Sequence, residues 1–196
     1  MSGVKQIAGR AVVVQRSDVD TDQIIPAAWL KRVERTGFGA GLFSEWRDDR
    51  DFVLNHPEFV GANILVAGHN FGTGSSREHA VWALMDYGFE AVVSSRFADI
   101  FRNNCTKGGL LPVQVTPEFD HALLAAVAAD PSLEITIDVA RSSIEAPAAG
   151  LSATFPLDEF TRERLLNGWD DIGLSLRHAD AITDYERRRP AFMPSA

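Results

Sequence analysis

The segment LEITIDV, residues 133–139, alternates cleanly: Leu133, Ile135, Ile137 and Val139 share one face, and Glu134, Thr136 and Asp138 share the other. Successive side chains of a strand point to opposite sides, so this pattern demands a sheet with one buried face and one wet face. Shorter apolar runs at AVVVQ (11–15), NILVAG (63–68), EAVVSS (90–95) and LLPVQV (110–115) also read as strands. SSIEA and LSATFPL, separated by PAAG, complete a hairpin or meander. Helical patterns fill the gaps. SREHAVWALMDYG is expected to run from Ser76 to a C-cap at Gly88, and FADIFRNNCTKGG to end at its glycine pair. PEFDHALLAAVAAD starts with Pro117 in the first turn. LDEFTRERLLNG and DDIGLSLRHADAITDYERRR read as two amphipathic helices split by Gly168. Strand and helix mix without strict alternation, which predicts an α/β fold of mixed β/β/α layers and not a doubly wound sheet. The 196 residues suit one domain over residues 1–196, with a flexible C-terminal tail at about 187–196.

Charge and cysteine usage exclude several classes of function. Lys+Arg 19 against Asp+Glu 27 gives a net charge of −8, unsuited to a phosphate backbone, so no nucleic-acid partner is expected. No apolar run approaches the roughly 18–20 residues that span a bilayer, and MSGVKQIAGR lacks the apolar region of a secretory signal. The expectation is a soluble, cytoplasmic chain with no membrane contact. A single cysteine, Cys105, allows neither an internal disulfide nor a multi-cysteine metal site, and the five histidines show no close ligand pairing. No metal is assigned to this chain.

The chemistry concentrates in NFGTGSSREHA, residues 70–80. Gly72 and Gly74 permit left-handed backbone and close approach of a ligand, and the following helix offers unsatisfied N–H donors. A small anion is favoured there, and Arg77 can grip a carboxylate with two parallel hydrogen bonds. Ser75-x-x-Glu78 also reads as a capping box, which would occupy both side chains in holding the helix start. His79, one turn into the helix, reads as a packing residue. The stretch lacks the Gly-Lys-Ser/Thr of a P-loop and the second glycine of a hydrolase elbow. DVDTDQ (18–23) fails as a calcium loop because Gln23 and Trp29 stand at its sixth and twelfth positions. Its Asp20 and Asp22 suit turn and cap chemistry. Residues 30–51, with three glycines and scattered arginines and aromatics, have no firm period. They read either as a surface excursion or as a mobile loop over a site.

Together, DVDTDQIIPAAWLKRVERTGFG, NFGTGSSREHAVWALMDYGF, RFADIFRNNCTKGGLLPV and LLNGWDDIGLSL resemble the small subunits of isopropylmalate isomerases, within the aconitase family. The resemblance runs from Ile7 to about Asp184. It implies an aconitase-like swivelling domain that closes over a [4Fe–4S] cluster held by a separate large subunit. That partner would supply the cluster, with no cofactor bound by this chain, and the substrate would be a small dicarboxylate. By the same resemblance Ser75 matches the serine that moves the carbon-bound proton, and Asp22 an aspartate that supports the acid–base network. Ser76 and Arg77 match residues that bind a substrate carboxylate, and Arg32 or Arg35 would bind the second. The implied activity is a hydro-lyase interconverting 2-isopropylmalate and 3-isopropylmalate in leucine biosynthesis. A related isomerase of homocitrate or citraconate type is the alternative, as is a non-catalytic interaction module of the same fold. In many relatives a cysteine stands where this chain has Thr73, a difference that touches only the packing of the turn.

Overall fold

The computed structural model describes residues 3–31, 36–74 and 77–190. In chain order these form β1 (Gln6–Val14), α1 (Thr21–Ile24), α2 (Ser44–Arg47), β2 (Ile64–Ala67), α3 (Glu78–Tyr87), β3 (Ala91–Ser94), α4 (Asp99–Gly108), β4 (Leu111–Gln114) and α5 (Pro117–Ala129). Then follow β5 (Glu134–Asp138), β6 (Ser143–Ala146), β7 (Leu151–Thr154), α6 (Glu159–Asn167), α7 (Asp171–Leu176) and α8 (Ala179–Arg188). No helix among the described residues is long and apolar enough to cross a membrane.

The strands make one sheet in the order β4-β3-β2-β1-β5-β6-β7. It has two characters, and β1 joins them. The carboxyl half of β1 pairs in parallel with β2 (Ala11↔Ile64 to Val14↔Ala67), while its amino half pairs antiparallel with β5 (Gln6↔Asp138 to Arg10↔Glu134). β2, β3 and β4 continue the parallel side, and β5, β6 and β7 the antiparallel side. Pro112 lies in β4, an edge strand, where its missing N–H costs no ladder bond.

Burial follows topology. Val12, Val14, Leu65, Ala67 and Val92 pack toward α3, α4 and the segment around Phe38, Leu42 and Phe43. Ala11, Ile64, Val66, Ala91, Val93 and Val113 face the other way, toward Leu123 and Val127 of α5 and the apolar side of β5 and β6. Parallel strands buried on both faces read as near-continuous apolar runs, as these four do. β5 alternates between buried and less buried positions, as LEITIDV requires. Strict alternation of strand and helix does hold from β2 through β4. It ends after α5, and with α3 and α4 on one face and α5 on the other side with the antiparallel strands, the layering is β/β/α.

Several expectations are corrected in detail. α3 begins at Glu78, not Ser76, and its N-cap is Arg77, which makes no side-chain cap bond. Ser75, the first member of the Ser75-x-x-Glu78 capping box, lies outside the described residues. The final helical pattern is two helices, broken at Arg177 and His178, where Arg177 turns back over the Trp169 ring at 4.1 Å. Of residues 30–51, Arg32 and Arg35 lie outside the described residues. The part from Phe38 to Phe43 is folded into the core, with Phe38, Leu42 and Phe43 fully buried. In the C-terminal tail, α8 carries the chain to Arg188, and residues 191–196 lie outside the described residues.

Candidate active site

The parallel strands β1, β2 and β3 end side by side, the position at which open α/β sheets bind ligands. After β1 the chain runs beside the exit from β2, and backbone bonds zip the two together. Asp18 N–H donates to His69 C=O at 2.8 Å, Gly72 N–H to Val19 C=O at 2.8 Å, and Thr21 N–H to Thr73 C=O at 2.9 Å. Asn70, in left-handed backbone, donates from Nδ2 to Asp18 Oδ1 at 2.7 Å. The Thr73 hydroxyl donates to Asp18 C=O at 3.4 Å, a further tie between the two segments.

This pairing brings α1 against the glycine turn. Asp20 is the N-cap of α1 and closes a capping box: its Oδ1 accepts from Gln23 N–H at 2.8 Å while Gln23 Oε1 accepts from Asp20 N–H at 3.0 Å. Ile24 and Ile25 are fully buried and anchor the helix. Asp22, in its first turn, meets the Arg77 guanidinium in an ion pair across 55 residues of sequence. The Asp22 side chain is 57% exposed and that of Arg77 21%, so the pair opens to solvent on the aspartate side.

The two glycines have different duties. Gly72 has φ +79, and a Cβ there would lie 2.2 Å from Cγ of Phe101, so both backbone and packing exclude a side chain. Gly74 has φ +88 with its nearest neighbour, Asp20 Cβ, at 3.5 Å, so only the backbone requires glycine. Beyond the turn lies α3, whose N-cap residue, Arg77, makes no side-chain cap bond to the first-turn N–H groups. His79 packs against Phe38 and Trp82, with ring centroids at 5.3 and 4.7 Å.

Of the residues singled out from sequence, Asp22 and Arg77 are brought together. Ser75, Ser76, Arg32 and Arg35 lie outside the described residues. Three groups at the same sheet edge escaped the sequence reading: His69, Ser95 and Asp120. Asp120 sits in the first turn of α5, where an acid is ordinary, and nothing in its local pattern tells that it is buried. A cavity of about 530 Å³ lined by Val4, Met85, Gly88 and Glu90 lies at the amino ends of β3 and β4, away from these groups.

Cys105 is fully buried in α4, and burial pushes its thiol well above its ordinary value, so thiolate ligation is disfavoured there. Among the described residues no group of three or more His, Cys, Asp or Glu side chains is placed to hold a metal ion.

A mixed sheet with these motifs at its carboxyl edge defines an aconitase-type domain, and the profile of the aconitase C-terminal domain matches residues 1–118. A second profile, that of the C-terminal domain of 3-isopropylmalate dehydratase small subunits, matches residues 171–194. The chain belongs to the 3-isopropylmalate dehydratase small subunit family. It is 65% identical over 187 residues to the 3-isopropylmalate dehydratase small subunit of Frankia casuarinae, covering 95% of each chain. With that of Rubrobacter xylanophilus it shares 55% over 194 residues, 99% of this chain and 98% of the other. Among solved structures, 3-isopropylmalate dehydratase (leuD) of Methanocaldococcus jannaschii superposes with TM-score 0.69 at 28% identity, over 91% of this chain and 99% of that one.

Proposed function

We propose that the chain is the small subunit of a two-subunit hydro-lyase that interconverts 2-isopropylmalate and 3-isopropylmalate by dehydration and rehydration in leucine biosynthesis. The observation that carries this reading is the meeting of Asp22 and Arg77 beside the Gly72–Gly74 turn. Two motifs far apart in sequence converge where the parallel strands end. A guanidinium has five N–H donors, and Asp22 engages Nη1, so the fork is aimed while donors remain for a substrate carboxylate. Ser76 is assigned to the same carboxylate, and Arg32 or Arg35 to the second.

Ser75 is assigned the proton at carbon, removing it as an alkoxide and returning it as a hydroxyl. Such an alkoxide needs compensating positive charge in a site shielded from water. Arg77 and the amino-terminal end of α3 are assigned that role, two to four residues further along the chain.

Departure of the substrate hydroxyl calls for a Lewis acid, the chemistry that a [4Fe–4S] cluster bound to the large subunit supplies. Cys105 does not fit a ligand role toward it, so the cluster is assigned wholly to that partner.

The test is Ser75→Ala assayed with purified large subunit. The expected loss in kcat is roughly 10²–10⁴-fold with KM nearly unchanged. Arg77→Lys should raise KM as well, because a point charge replaces the fork. Near-normal kcat in Ser75→Ala would remove that serine from the proton transfer.

A further inference from the structure

The ion pair of Asp22 and Arg77 is too open to hold itself in place. The Asp22 side chain is 57% exposed, and a pair that faces water on one side loses most of its attraction to screening. Something stiffer must set the distance between α1, which carries Asp22, and the start of α3, which Arg77 caps.

Residues 37–43 lie across both helices. Phe38 is fully buried, and its ring meets His79 edge-on at 5.3 Å and tilts against Trp82 at 5.7 Å, so it touches the first two turns of α3. Its N–H donates to Asp86 Oδ2 at 3.0 Å, in the last turn. Gly39 lies against that turn, where a Cβ would stand 2.8 Å from the Tyr87 nitrogen. The segment thus follows α3 along its length. At its other end Phe43, also fully buried, donates its N–H at 2.8 Å to the C=O of Ile24, the last residue of α1. Between them, Gly41 makes room for the Trp29 ring, 2.5 Å from the place a Cβ would take.

One short stretch is therefore fastened to the helix that bears Asp22 and to the helix that Arg77 begins. Arg77 moves with α3, because its C=O accepts from Ala80 N–H at 3.3 Å. His79 is two residues further on, and its ring touches both Phe38 and Trp82. Packed aromatic rings keep their mutual placement where an exposed charge pair does not. A shift of the Phe38 ring passes to His79 and from there to the backbone that carries Arg77.

We propose that residues 37–43 form a brace that sets the spacing of Asp22 and Arg77, and that Phe38, acting through His79, is a positioning residue for binding of the substrate carboxylate. The binding role of Arg77 rests on the function proposed above, whereas its pairing with Asp22 does not.

The experiment has two arms. The first uses the free chain with ¹⁵N-labelled arginine. Rotation about the Arg77 Cζ–Nε bond slows when Asp22 holds one side of the guanidinium, and nuclear magnetic resonance reads the rate. Arg77→Lys assigns the signal, and Asp22→Asn gives the unpaired rate. Phe38→Leu and His79→Leu should move the rate toward that of Asp22→Asn, whereas His79→Phe, which keeps a ring, should stay with the wild type. Val127→Ala, at a buried position of α5, loosens the opposite face of the sheet and should leave the rate unchanged. In the second arm, with large subunit added, Phe38→Leu should raise KM about 5-fold to 20-fold and leave kcat within about threefold. His79→Leu serves in both arms if Phe38→Leu does not fold. A wild-type rate in both leucine variants, or an equal acceleration in His79→Phe or Val127→Ala, overturns the brace. A changed rate with unchanged KM overturns the positioning role. An inactive wild-type pair would sink the proposed function and leave the pairing result standing.

Discussion

The parallel and antiparallel halves of the sheet share β1 and little else in their physics. β2 and β3 are buried at every position, and the loops at their carboxyl ends are cross-tied into a rigid edge. β7 is never fully buried, and the helices after it leave Phe160, Ile172, Leu176 and Tyr185 more than half exposed. Sites that must hold groups to within fractions of an ångström belong on the first kind of scaffold. The site-bearing half should therefore be brittle to substitution and the other half tolerant.

The largest expected contrast lies between two glycines with similar backbone. Gly72 and Gly150 have φ +79 and +67, but a Cβ at Gly72 would strike Phe101, whereas nothing lies within 4 Å of one at Gly150. Gly72→Ala should cost about 2–5 kcal/mol, combining left-handed strain with overpacking, and should abolish activity with the large subunit. Gly150→Ala should cost only the strain, about 1–2 kcal/mol. Denaturant melts of the two variants decide it, and equal losses would break the comparison.

A smaller effect is expected at Arg164, nearly buried on α6, which donates from Nε to Trp169 C=O at 3.0 Å and pairs with Asp171 at 2.9 Å. Arg164→Ala should cost about 1–3 kcal/mol, because the hydrogen bonds lost involve a charge. The loss should be local. Hydrogen exchange should speed up in α7 while amides of β2 and β3 keep their protection, and uniform loss across the sheet would contradict the separation of the halves.

The smallest contrast is between two helix caps. Asp158 accepts from Thr161 N–H at 2.9 Å at the start of α6, and Thr116 accepts from Phe119 N–H at 3.3 Å at the start of α5. Either change to alanine should cost about 1 kcal/mol at neutral pH. Only the aspartate cap should depend on pH. The hydrogen bonds from Thr161 hold the Asp158 carboxyl below its ordinary value, so its contribution is present above the unfolded value of about 3.9 and lost as pH falls through the lower folded one. Stability curves of Asp158→Ala and wild type should converge in acid, and those of Thr116→Ala should not.

How much of this was legible in the sequence depended on whether the signal was local. LEITIDV and the four apolar runs located five strands, β1 to β5, because pattern and burial coincide there. Half of β1 went unread: Gln6 to Arg10 mixes polar and small residues because this end pairs with β5 at the margin of the core. Phe38, Leu42 and Phe43 looked like an irregular excursion since their burial comes from α3 and β1, far along the chain. The helix was expected from Ser76, but an extended Arg77 delays its start to Glu78, a backbone choice that no residue pattern before α3 announces. Asp22 and Arg77 were named from motifs, whereas Asp120 and Ser95 needed the fold to meet.

The division of β1 between two ladders has a consequence for the order of events when the chain is made. Its carboxyl half finds its partner only when Ile64 to Ala67 exist, and its amino half only when Glu134 to Asp138 exist. The earliest strand to be synthesised is thus the last to be completed, and closing over so many intervening residues is the slow kind of contact. Until β5 arrives, the edge of β1 is an open template for any passing strand. A ribosome-bound chain that stops short of residue 134 would expose that edge, and aggregation of the nascent protein should fall off once β5 has emerged.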